Sequence, residues 1–440
     1  MKTVLILGAG RVSGPCIEYL VRKGGCKTIV ADISTENLAE TAKFFPSVET
    51  VESDVVTEAG SLMDRFSPDL VINLMPPFLM APVARLCLDK GIHLVHPAYL
   101  DEETRAMDEE CREAGLVFVT ELGLDPGIDH MSAVSTINEI HNEGGKVESF
   151  SSVCGALPAA DANTNPWGYK LSWSPSSLIG ASKRTARILQ DGREILWPDG
   201  ETYEHVRFYE IPRLGTFEIY ANADSIPYRE FYEIPEAKDI YRGTIRYPGW
   251  CETICHLNAM GFFEEDAKDL TGLTFSQFTA QQAGAEKSAD PKKAVCDFLG
   301  CREWATVILR MEWLGFFDDR SLPFEKGSPR DVISALFSEK LVYQPGEKDL
   351  VILRDEVTAS YPDGTKKRHS STLVDYGIPD SWSSIARTTG IPPAIAARFI
   401  LKGRILTPGV HIPVLPEIYE PLLEELRGEN ISMQEEVISL

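Results

Sequence analysis

The segment from 121 to 130, E-L-G-L-D-P-G-I-D-H, places an acid, a proline and two glycines directly after the strand-like run Leu116 to Thr120. Proline suits the first turn of a helix, so Pro126 predicts a helix start with Asp125 at its mouth. Free N–H groups at such an end attract anions and would keep a carboxylate ionised. The segment indicates either an acid–base site at Asp125 or an ordinary turn capped by that residue.

A second pattern that can do chemistry stands at the start of the chain. The apolar run Val4 to Leu7 leads into Gly8-Ala9-Gly10-Arg11-Val12-Ser13-Gly14 and then into a helical pattern. Gly8 permits a tight turn, and Gly10 lets backbone N–H groups approach a pyrophosphate at the helix N-terminus. The third glycine comes one position late, with Ser13 in its usual place. The order of strand, turn and helix predicts a dinucleotide-binding domain of the Rossmann type.

A carboxylate bears on the choice of nucleotide. The strand candidate Thr28 to Ala31 ends in Asp32, which follows the glycine turn by about 20 residues. A carboxylate in this position bonds the ribose hydroxyls and repels a 2′-phosphate. The sequence therefore predicts NAD as the preferred cofactor, with NADP as the alternative. Ile33, the residue after Asp32, is also predicted to contact the cofactor.

The order of strand and helix patterns predicts the elements that position these residues. Strand and helix patterns alternate along the first 120 residues, which predicts parallel strands with crossover helices and a ligand cleft beyond the strand carboxyl ends. The strand candidates after Thr28 to Ala31 are Leu70 to Leu74, His93 to Val95 and Leu116 to Thr120. The predicted cofactor-binding residues at their ends are Asp54, Val55, Leu74, Met75, Pro76, Leu124 and Pro126. Ordinary loop residues are the alternative for most of them.

Composition narrows the class of protein. With 440 residues, 43% hydrophobic and 25% charged, the chain is long enough for two or three globular domains. The net charge of −23 argues against nucleic acid and anionic membranes as partners. The first apolar run is far too short for a signal peptide or a membrane span, so we expect a cytoplasmic protein. The nine cysteines contain no C-x-x-C pair, and we expect reduced thiols.

In the remainder of the chain the pattern of residues changes several times between strand-like and helical. From about Lys146 it is rich in aromatic, strand-like pieces, including Thr216 to Tyr220 and Gly243 to Tyr247. From Cys251 to about Leu341 it is helical. Strands resume at Leu350 to Leu353 and form a hairpin through the turn at 361–364. The last segment is predicted as two helices split at Gly390 that return to the first domain.

We therefore predict an α/β fold in three parts. They are a Rossmann-type dinucleotide-binding domain (1–124 and 381–440), a second mixed α/β domain (125–250 and 342–380), and an all-helical insertion (251–341).

Several sequence blocks together resemble the saccharopine dehydrogenase family of the L-glutamate-forming type. They are G-x-G-x-V-S-G-P, G-L-D-P-G-I-D-H, S-x-C-G-x-L-P-A, N-P-x-x-Y-K-x-S-W-S, R-G-T-x-R-Y, S-T-L-V-D-Y-G and P-G-V-H-I-P-V-L-P-E-I. The likeness covers nearly the whole length. It implies a homodimer and an amino-acid substrate: saccharopine, NAD(P)⁺ and water yield glutamate, 2-aminoadipate semialdehyde and NAD(P)H.

The resemblance also implies catalytic residues. Hydride leaves the carbon next to a secondary amine only when the nitrogen is neutral, so a base must first remove the ammonium proton. Asp125 and Tyr99 are the candidates, and the resemblance places both, with Cys154, around the reacting centre. Tyr99 would orient or relay the proton, while Cys154 would have a supporting role. A packed tyrosine and a small buried thiol are the ordinary alternatives.

Further residues match the substrate and cofactor contacts of the family. Saccharopine carries three carboxylates, each suited to a guanidinium clamp, and Arg246 is the candidate for one of them. A surface strand arginine is the alternative. The other implied contacts are Ala98, Thr244, Ile245 and Lys170 at the substrate and Trp173 at the cofactor.

One departure from the family pattern concerns a carboxylate-binding arginine. The family has N-R-D-S where this chain has Asn222-Ala223-Asp224-Ser225. Loss of a bidentate contact costs on the order of 2 kcal/mol. Either another cation, such as Arg229 or Arg242, replaces the arginine, or the preferred substrate lacks that carboxylate.

Two other functions stay open. A carboxynorspermidine dehydrogenase-like enzyme acting on a diamine-derived imine would explain Ala223, and a sensor protein could bind NAD without catalysis. Cys251, Cys255 and His256 stand at helical spacing without a second ligand pair, so no metal site is expected. Asp129 and His130 are predicted to cap and orient the loop after Pro126.

Overall fold

The computed structural model describes residues 1–173 and 175–440, which form two compact units. Unit 1 comprises Met1–Val147 and Leu353–Leu440, and unit 2 comprises Glu148–Ile352. This division places residues 125–147 and 353–380 with the glycine turn, whereas the sequence assigned them to the second domain. The finer division into three domains stays a prediction.

The first part of unit 1 alternates strands and helices. In chain order its elements are β1 (Thr3–Leu7), α1 (Ser13–Tyr19), β2 (Lys27–Asp32), α2 (Thr35–Phe44), β3 (Glu49–Glu52), α3 (Val55–Phe66), β4 (Leu70–Asn73), α4 (Met80–Lys90), β5 (His93–Val95), α5 (Glu102–Arg105), α6 (Asp108–Ala114), β6 (Val117–Val119) and α7 (Ile128–Asn142).

Strands and helices of the middle of the chain follow. They are β7 (Lys146–Pro158), α8 (Pro175–Ala181), β8 (Ala186–Gln190), β9 (Arg193–Trp197), β10 (Arg207–Ile211), β11 (Gly215–Ala221), α9 (Tyr228–Phe231), β12 (Asp239–Arg246), α10 (Trp250–Ala259), β13 (Lys268–Asp269), α11 (Phe275–Gln282), α12 (Pro291–Leu299), α13 (Thr306–Leu314), β14 (Lys326–Gly327), α14 (Pro329–Lys340) and β15 (Asp349–Ser360).

The last elements complete unit 1. They are β16 (Lys366–Tyr376), α15 (Ser384–Leu401), β17 (Gly409–His411), α16 (Pro416–Gly428) and β18 (Gln434–Ser439).

A seven-stranded parallel sheet forms the centre of unit 1, in the order β17-β6-β5-β4-β1-β2-β3. Its inner strands β1 and β4 are almost wholly buried and apolar, as expected where helices cover both faces of a sheet. The predicted strand positions and the alternation with helices are confirmed. The sheet places the ends of β1, β2, β4, β5 and β6 along one edge, where a ligand cleft is expected.

The C-terminal segment returns to unit 1, as predicted, because β17 pairs in parallel with β6. The prediction of two helices split at Gly390 is wrong, since α15 continues through Gly390, Pro392 and Pro393. Gly390 lets helix α15 lie close to the glycine turn, because a Cβ at Gly390 would overlap the carbonyl oxygen of Val12. Arg398 of the same helix donates to the hydroxyl of Tyr19 at 2.9 Å.

Unit 2 contains a mixed sheet. Strand β12 pairs in parallel with β7 and antiparallel with β11 and β8, while β10 pairs with β11 and β9 with β8. The predicted strands at 216–220 and 243–247 fall in β11 and β12, the latter ending at Arg246. The stretch 251–341 is helical as predicted, apart from the short antiparallel pair β13 and β14. A hairpin between β15 and β16 is also confirmed, since the N–H of Gly364 donates to the carbonyl of Tyr361 at 2.9 Å.

Within the described residues, no helix combines the length and the apolar character that crossing a membrane requires.

Candidate active site

The glycine turn between β1 and α1 is built for close approach of backbone. Gly8 has φ of +102°, and a Cβ there would lie 3.3 Å from the carbonyl oxygen of Leu74 and 3.2 Å from the sulfur of Met75. Leu74 in turn donates its N–H to Leu7 at 2.9 Å. Three of the predicted cofactor residues therefore meet where β1 and β4 end.

Space for a ligand remains at this turn. Gly10 is exposed, and within the described part of the chain a Cβ there would meet no atom within 4 Å. Arg11 is exposed beside it, and Val12 is the residue before α1. The turn thus presents uncovered backbone to solvent beside the start of a helix, which suits a pyrophosphate. The residues present fit a dinucleotide.

Asp32 lies at the end of β2 and binds the glycine turn directly. Its Oδ2 accepts a hydrogen bond from the N–H of Ala9 at 2.6 Å, and its Oδ1 accepts one from the N–H of Ser34 at 2.7 Å. Ile33 projects into solvent with 68% exposure. A negative charge therefore stands at the strand end where the adenosine ribose of a dinucleotide is expected.

The other predicted cofactor residues at this edge differ in burial, and one of them has a structural role. Asp54 is the N-cap of α3 and accepts from the N–H of Val56 at 3.0 Å, and Val55 is buried. Pro76 is exposed, whereas Leu124 and Pro126 are buried. A capping role thus accounts for Asp54 without a ligand, and its contact with a cofactor stays a prediction.

The loop that carries Asp125 differs from the prediction. Helix α7 begins at Ile128 with Gly127 as its N-cap, so the prediction that Pro126 occupies the first helical turn is wrong, and Asp125 is not the cap. The chain first doubles back: Gly123 donates its N–H to the carbonyl of Pro126 at 2.8 Å, and Gly127 donates to Asp129 Oδ1 at 2.6 Å. Asp129 caps the loop, as expected.

The two predicted acid–base residues lie in contact. The hydroxyl of Tyr99 donates to Oδ1 of Asp125 at 3.2 Å. Tyr99 is 42% exposed and Asp125 is half-buried, so both groups face solvent. Ala98 precedes Tyr99 and is half-buried. A phenol bound to a carboxylate that a solute can reach is an arrangement able to accept and pass on a proton.

The sequence analysis assigned no role to Glu121, a buried acid that precedes Asp125 in the same loop. Glu121 Oε2 lies 2.7 Å from His130 Nε2, and the two side chains are 5% and 0% exposed. The other oxygen, Oε1, accepts from the N–H of Leu100 at 3.0 Å. The signal available in the sequence was an acid and a histidine that bracket the Asp125 loop.

In unit 2, Arg246 is a buried cation among aromatic rings. It is 4% exposed, and its guanidinium lies 4.9 Å from the ring centre of Tyr169 and 5.5 Å from that of Trp250. One nitrogen donates to the carbonyl of Ile245 at 2.8 Å, and Nε has no hydrogen-bond partner among residues 1–173 and 175–440. The surface-arginine alternative is therefore wrong.

The acid opposite Arg246 is already engaged. Glu218, its partner across β11 and β12, accepts hydrogen bonds from the N–H groups of Gly249 and Cys251. Within the described chain no carboxylate forms an ion pair with Arg246. A buried guanidinium in this state suits an incoming carboxylate.

The other predicted substrate residues of unit 2 share the same strands. Cys154 of β7 is the direct partner of Thr244 on β12, and Cys154 and Ile245 are buried. Trp173 donates its indole N–H to the hydroxyl of Tyr169 at 2.6 Å. Lys170 is different, because its ammonium binds Glu347 and donates to Thr164 at 3.0 Å. Glu347 thus compensates the charge of the Lys170 ammonium within the protein. The contact of Lys170 with substrate stays a prediction.

The turn that contains Ala223 follows β11, and Ala223 has φ of +54°. Both proposed replacements for an arginine here are engaged within unit 2: Arg229 donates to the carbonyl of Pro235, and Arg242 donates to the hydroxyl of Tyr228 at 2.5 Å. Arg184, which the sequence analysis did not consider, donates to Asn222 Oδ1 at 3.3 Å. It places a cation next to Ala223.

Among the described residues, no group of three or more histidines, cysteines, aspartates or glutamates is arranged to hold a metal ion.

The sheet order, the glycine turn and the carboxylate after β2 define a Rossmann-type dinucleotide-binding protein. Family models named saccharopine dehydrogenase NADP binding domain and saccharopine dehydrogenase C-terminal domain match residues 4–119 and 123–431. The chain belongs to the saccharopine dehydrogenase family.

Individual relatives agree with this assignment. Saccharopine dehydrogenase (NADP(+), L-glutamate-forming) of Schizosaccharomyces pombe is 33% identical and is covered to 99%, with 100% of this chain matched. The apo structure of saccharopine dehydrogenase (L-Glu forming) from Saccharomyces cerevisiae matches with a TM-score of 0.90 and 32% identity over 100% of both chains. Carboxynorspermidine synthase of Vibrio alginolyticus is 23% identical over 46% of this chain and 49% of its own. The relatives named saccharopine dehydrogenase carry NADP(+) in their names, which disfavours the NAD preference drawn from Asp32.

Proposed function

We propose that the protein is an oxidoreductase acting on CH–NH groups, which cleaves saccharopine to L-glutamate and 2-aminoadipate 6-semialdehyde in lysine metabolism, or runs the reverse condensation. Full-length similarity to enzymes of this name supports the substrate. The observation that carries the chemistry is the hydrogen bond from the Tyr99 hydroxyl to the Asp125 carboxylate, on the unit that also contains the glycine turn.

In this mechanism Asp125 removes the proton from the secondary ammonium group and leaves a lone pair on nitrogen. Tyr99 holds the Asp125 carboxylate in position and can relay the proton. A bound nicotinamide ring would accept the hydride. Water then adds to the iminium carbon and loses one proton to solvent, which gives a neutral carbinolamine. Asp125 returns its proton to the amine nitrogen, the C–N bond breaks, and the hydroxyl proton passes to the departing amine as the aldehyde forms. Arg246 holds a substrate carboxylate, as its burial without an acidic partner in the described chain suggests.

The test is a steady-state assay of reduced nicotinamide formation with saccharopine. Asp125→Asn should lower kcat by about 10²- to 10⁴-fold, the usual contribution of a general base, while nucleotide binding is retained. Asp101→Asn, a change at the N-cap of α5, is the matched control and should leave kcat within about twofold. Full activity in Asp125→Asn would contradict the role of Asp125 as the base. A wild type that binds the nucleotide and turns over no substrate would favour a nucleotide-binding sensor without catalysis.

For the cofactor we propose NAD in preference to NADP, although the relatives' names favour NADP. Asp32 places a carboxylate at the end of β2, and a 2′-phosphate there would be repelled by that charge. A comparison of kcat/KM for NAD⁺ and NADP⁺ tests this. Equal or better use of NADP⁺ would overturn the preference.

Ala223 is the observation that favours a second candidate function. If no cation replaces the family arginine, a substrate with one carboxylate fewer would fit better, as in a carboxynorspermidine dehydrogenase-like reaction on a diamine-derived imine. Activity with such an imine and none with saccharopine would favour it.

The assembly and location of the protein are also proposals. The family resemblance supports a homodimer. We also propose a location in the cytoplasm, and the charge of −23 argues against anionic surfaces as partners. Light scattering coupled to gel filtration would test the first, and cell fractionation the second. A mass equal to one chain would exclude the dimer.

A further inference from the structure

Both oxygens of the buried Glu121 carboxylate are used, and they bind different parts of unit 1. Oε1 accepts from the backbone N–H of Leu100, the residue after Tyr99, at 3.0 Å. Oε2 lies 2.7 Å from Nε2 of His130, which belongs to helix α7. The side chain therefore bridges the segment that carries Tyr99 and the helix that follows Asp125.

The backbone of Glu121 holds the same segment from the other side. Its N–H donates to the carbonyl of Ala98, the residue before Tyr99, at 3.0 Å, and Leu122 donates to His96 at 3.1 Å. Tyr99 is thus flanked by two hydrogen bonds that both end on Glu121. Tyr99, the residue between them, donates its hydroxyl to Asp125.

Keeping Glu121 in this place has a cost that the local fold must overcome. The residue has φ of +56°, a left-handed conformation that L side chains seldom adopt, and its carboxylate is almost fully buried. Such features persist where surrounding contacts enforce them and cluster at functional sites. His130, which is 0% exposed, supplies the enforcing contact.

The far side of the loop is fixed by the same helix. The N–H of Ile128 donates to the carbonyl of Gly123 at 3.0 Å, and that of Asp129 donates to Leu124 at 3.2 Å. The start of α7 therefore holds Asp125 through the backbone and holds Tyr99 through the His130 and Glu121 side chains. The relative position of hydroxyl and carboxylate is set by these contacts.

We propose that Glu121 and His130 are positioning residues, a buried clamp that sets the Tyr99 hydroxyl against the Asp125 carboxylate. The inference rests on the proposed function, in which that pair moves the proton of the secondary amine. Glu121 touches neither substrate nor cofactor in this scheme and acts through Tyr99.

The test is a double-mutant cycle of Glu121→Ala and Tyr99→Phe, with kcat for saccharopine and the Kd for NADH as measurements. Glu121→Ala should lower kcat by about 10²-fold, the scale of a misplacement near 1 Å, and change the Kd less than about twofold. Tyr99→Phe should lower kcat in the wild type and have little further effect in Glu121→Ala. Glu121→Gln, which retains an acceptor for Leu100, should restore most of the rate.

Outcomes that overturn the inference are specific. Independent, multiplicative effects of the two substitutions would show that Glu121 does not act through Tyr99. A parallel loss of NADH binding would show a structural role only. Asp375→Asn is the matched control, because Asp375 is another buried carboxylate of unit 1, bound to Ser384 and Arg387 at the start of α15. It should lower the Tm without coupling to Tyr99.

A measurement without substrate separates the clamp from the proposed function. With ¹³C-labelled tyrosine, the Cζ resonance of Tyr99, assigned by its loss in Tyr99→Phe, should move in Glu121→Ala and stay in place in Glu121→Gln and Asp375→Asn. An unmoved resonance in Glu121→Ala contradicts the clamp even if saccharopine is turned over. A wild type that does not turn over saccharopine contradicts the function, while the resonance still decides the clamp.

Discussion

The carboxylate of Asp32 accepts a hydrogen bond from the backbone N–H of Ala9, so the end of β2 is tied to the glycine turn after β1. One residue thereby shapes the turn and places a negative charge beside it. These two roles can be separated by substitution, because asparagine retains an oxygen acceptor and lacks the charge.

Asp32→Asn should shift cofactor preference towards NADP. Removing the charge relieves repulsion of a 2′-phosphate, and we expect the ratio of kcat/KM for NAD⁺ over NADP⁺ to fall at least about tenfold, or about 1.4 kcal/mol. Asp32→Ala also removes the bonds to Ala9 and Ser34, and should weaken both cofactors. An unchanged ratio in Asp32→Asn would refute electrostatic selection by this residue.

Arg246 and Arg310 are both buried, and their substitution should have opposite effects. Arg246 has no acidic partner within the described chain, so Arg246→Met should raise the KM for saccharopine by about 10- to 100-fold and leave the Tm unchanged or higher. Arg310 donates to Pro166 at 2.8 Å, to Thr253 at 2.6 Å and to Pro248 at 3.1 Å.

Arg310→Met should therefore cost about 3 kcal/mol or more of unfolding free energy, because buried acceptors lose their donor. Enzyme assays and thermal unfolding of both variants measure the contrast. A loss of stability in Arg246→Met with an unchanged KM would show that this arginine is structural.

Gly390→Ala tests the contact between α15 and the glycine turn. A Cβ would overlap the Val12 carbonyl, so we expect a loss of about 1–3 kcal/mol of stability and a weaker Kd for NADH. Gly428→Ala, at the end of α16, is the control, since a Cβ there would meet no atom of the described chain within 4 Å. It should be neutral or add up to about 1 kcal/mol. Equal behaviour of the two variants would argue against a tight approach at Gly390.

His96 should make stability depend on pH on the acid side. Burial lowers the pKa of His96 from 6.5 to about 4. The unfolded chain therefore binds a proton more readily than the folded one, and stability is lost as pH falls from about 6.5 towards 4, by up to about 3 kcal/mol.

The variant His96→Leu removes this group, so its unfolding free energy should fall less than that of the wild type between pH 7 and pH 4.5. Denaturant titrations at the two pH values measure the difference. Identical falls in both proteins would show that His96 does not titrate in this window.

Ala223→Arg tests whether the site lacks a cation for one substrate carboxylate. If it does, the variant should lower the KM for saccharopine by about tenfold. The left-handed backbone at this position adds no penalty, because alanine already places a Cβ there. If Arg184, which binds Asn222, already supplies the charge, the variant should gain nothing and Arg184→Ala should raise the KM instead. No effect of either change would mean that no cation acts at this turn.

The sequence predicted well those elements that local pattern determines. Apolar runs such as Val4 to Leu7 and Leu70 to Leu74 become buried parallel strands because helices cover both sheet faces. The glycine turn and the return of the C-terminal segment to the first domain were also correct. The Tyr99 and Asp125 contact followed from the resemblance, and spacing alone could not supply it.

Errors arose where distant contacts decide local structure. Gly390 indicates a helix break by itself, yet it lies against Val12, and the buried helix continues through two prolines. The ion pair of Lys170 with Glu347, 177 positions away, is likewise a distant contact that no local pattern reveals, and the contact of Lys170 with substrate stays a prediction. Pro126 precedes α7 because Gly123 and Gly127 first close the loop.

The pairing of β17 with β6 makes the nucleotide-binding unit depend on residues from both ends of the chain. A ribosome must release the polypeptide beyond residue 411 before the seven-stranded sheet is complete, whereas all of unit 2 has emerged by residue 352. Until then β6 is an open edge that can pair wrongly with other nascent chains.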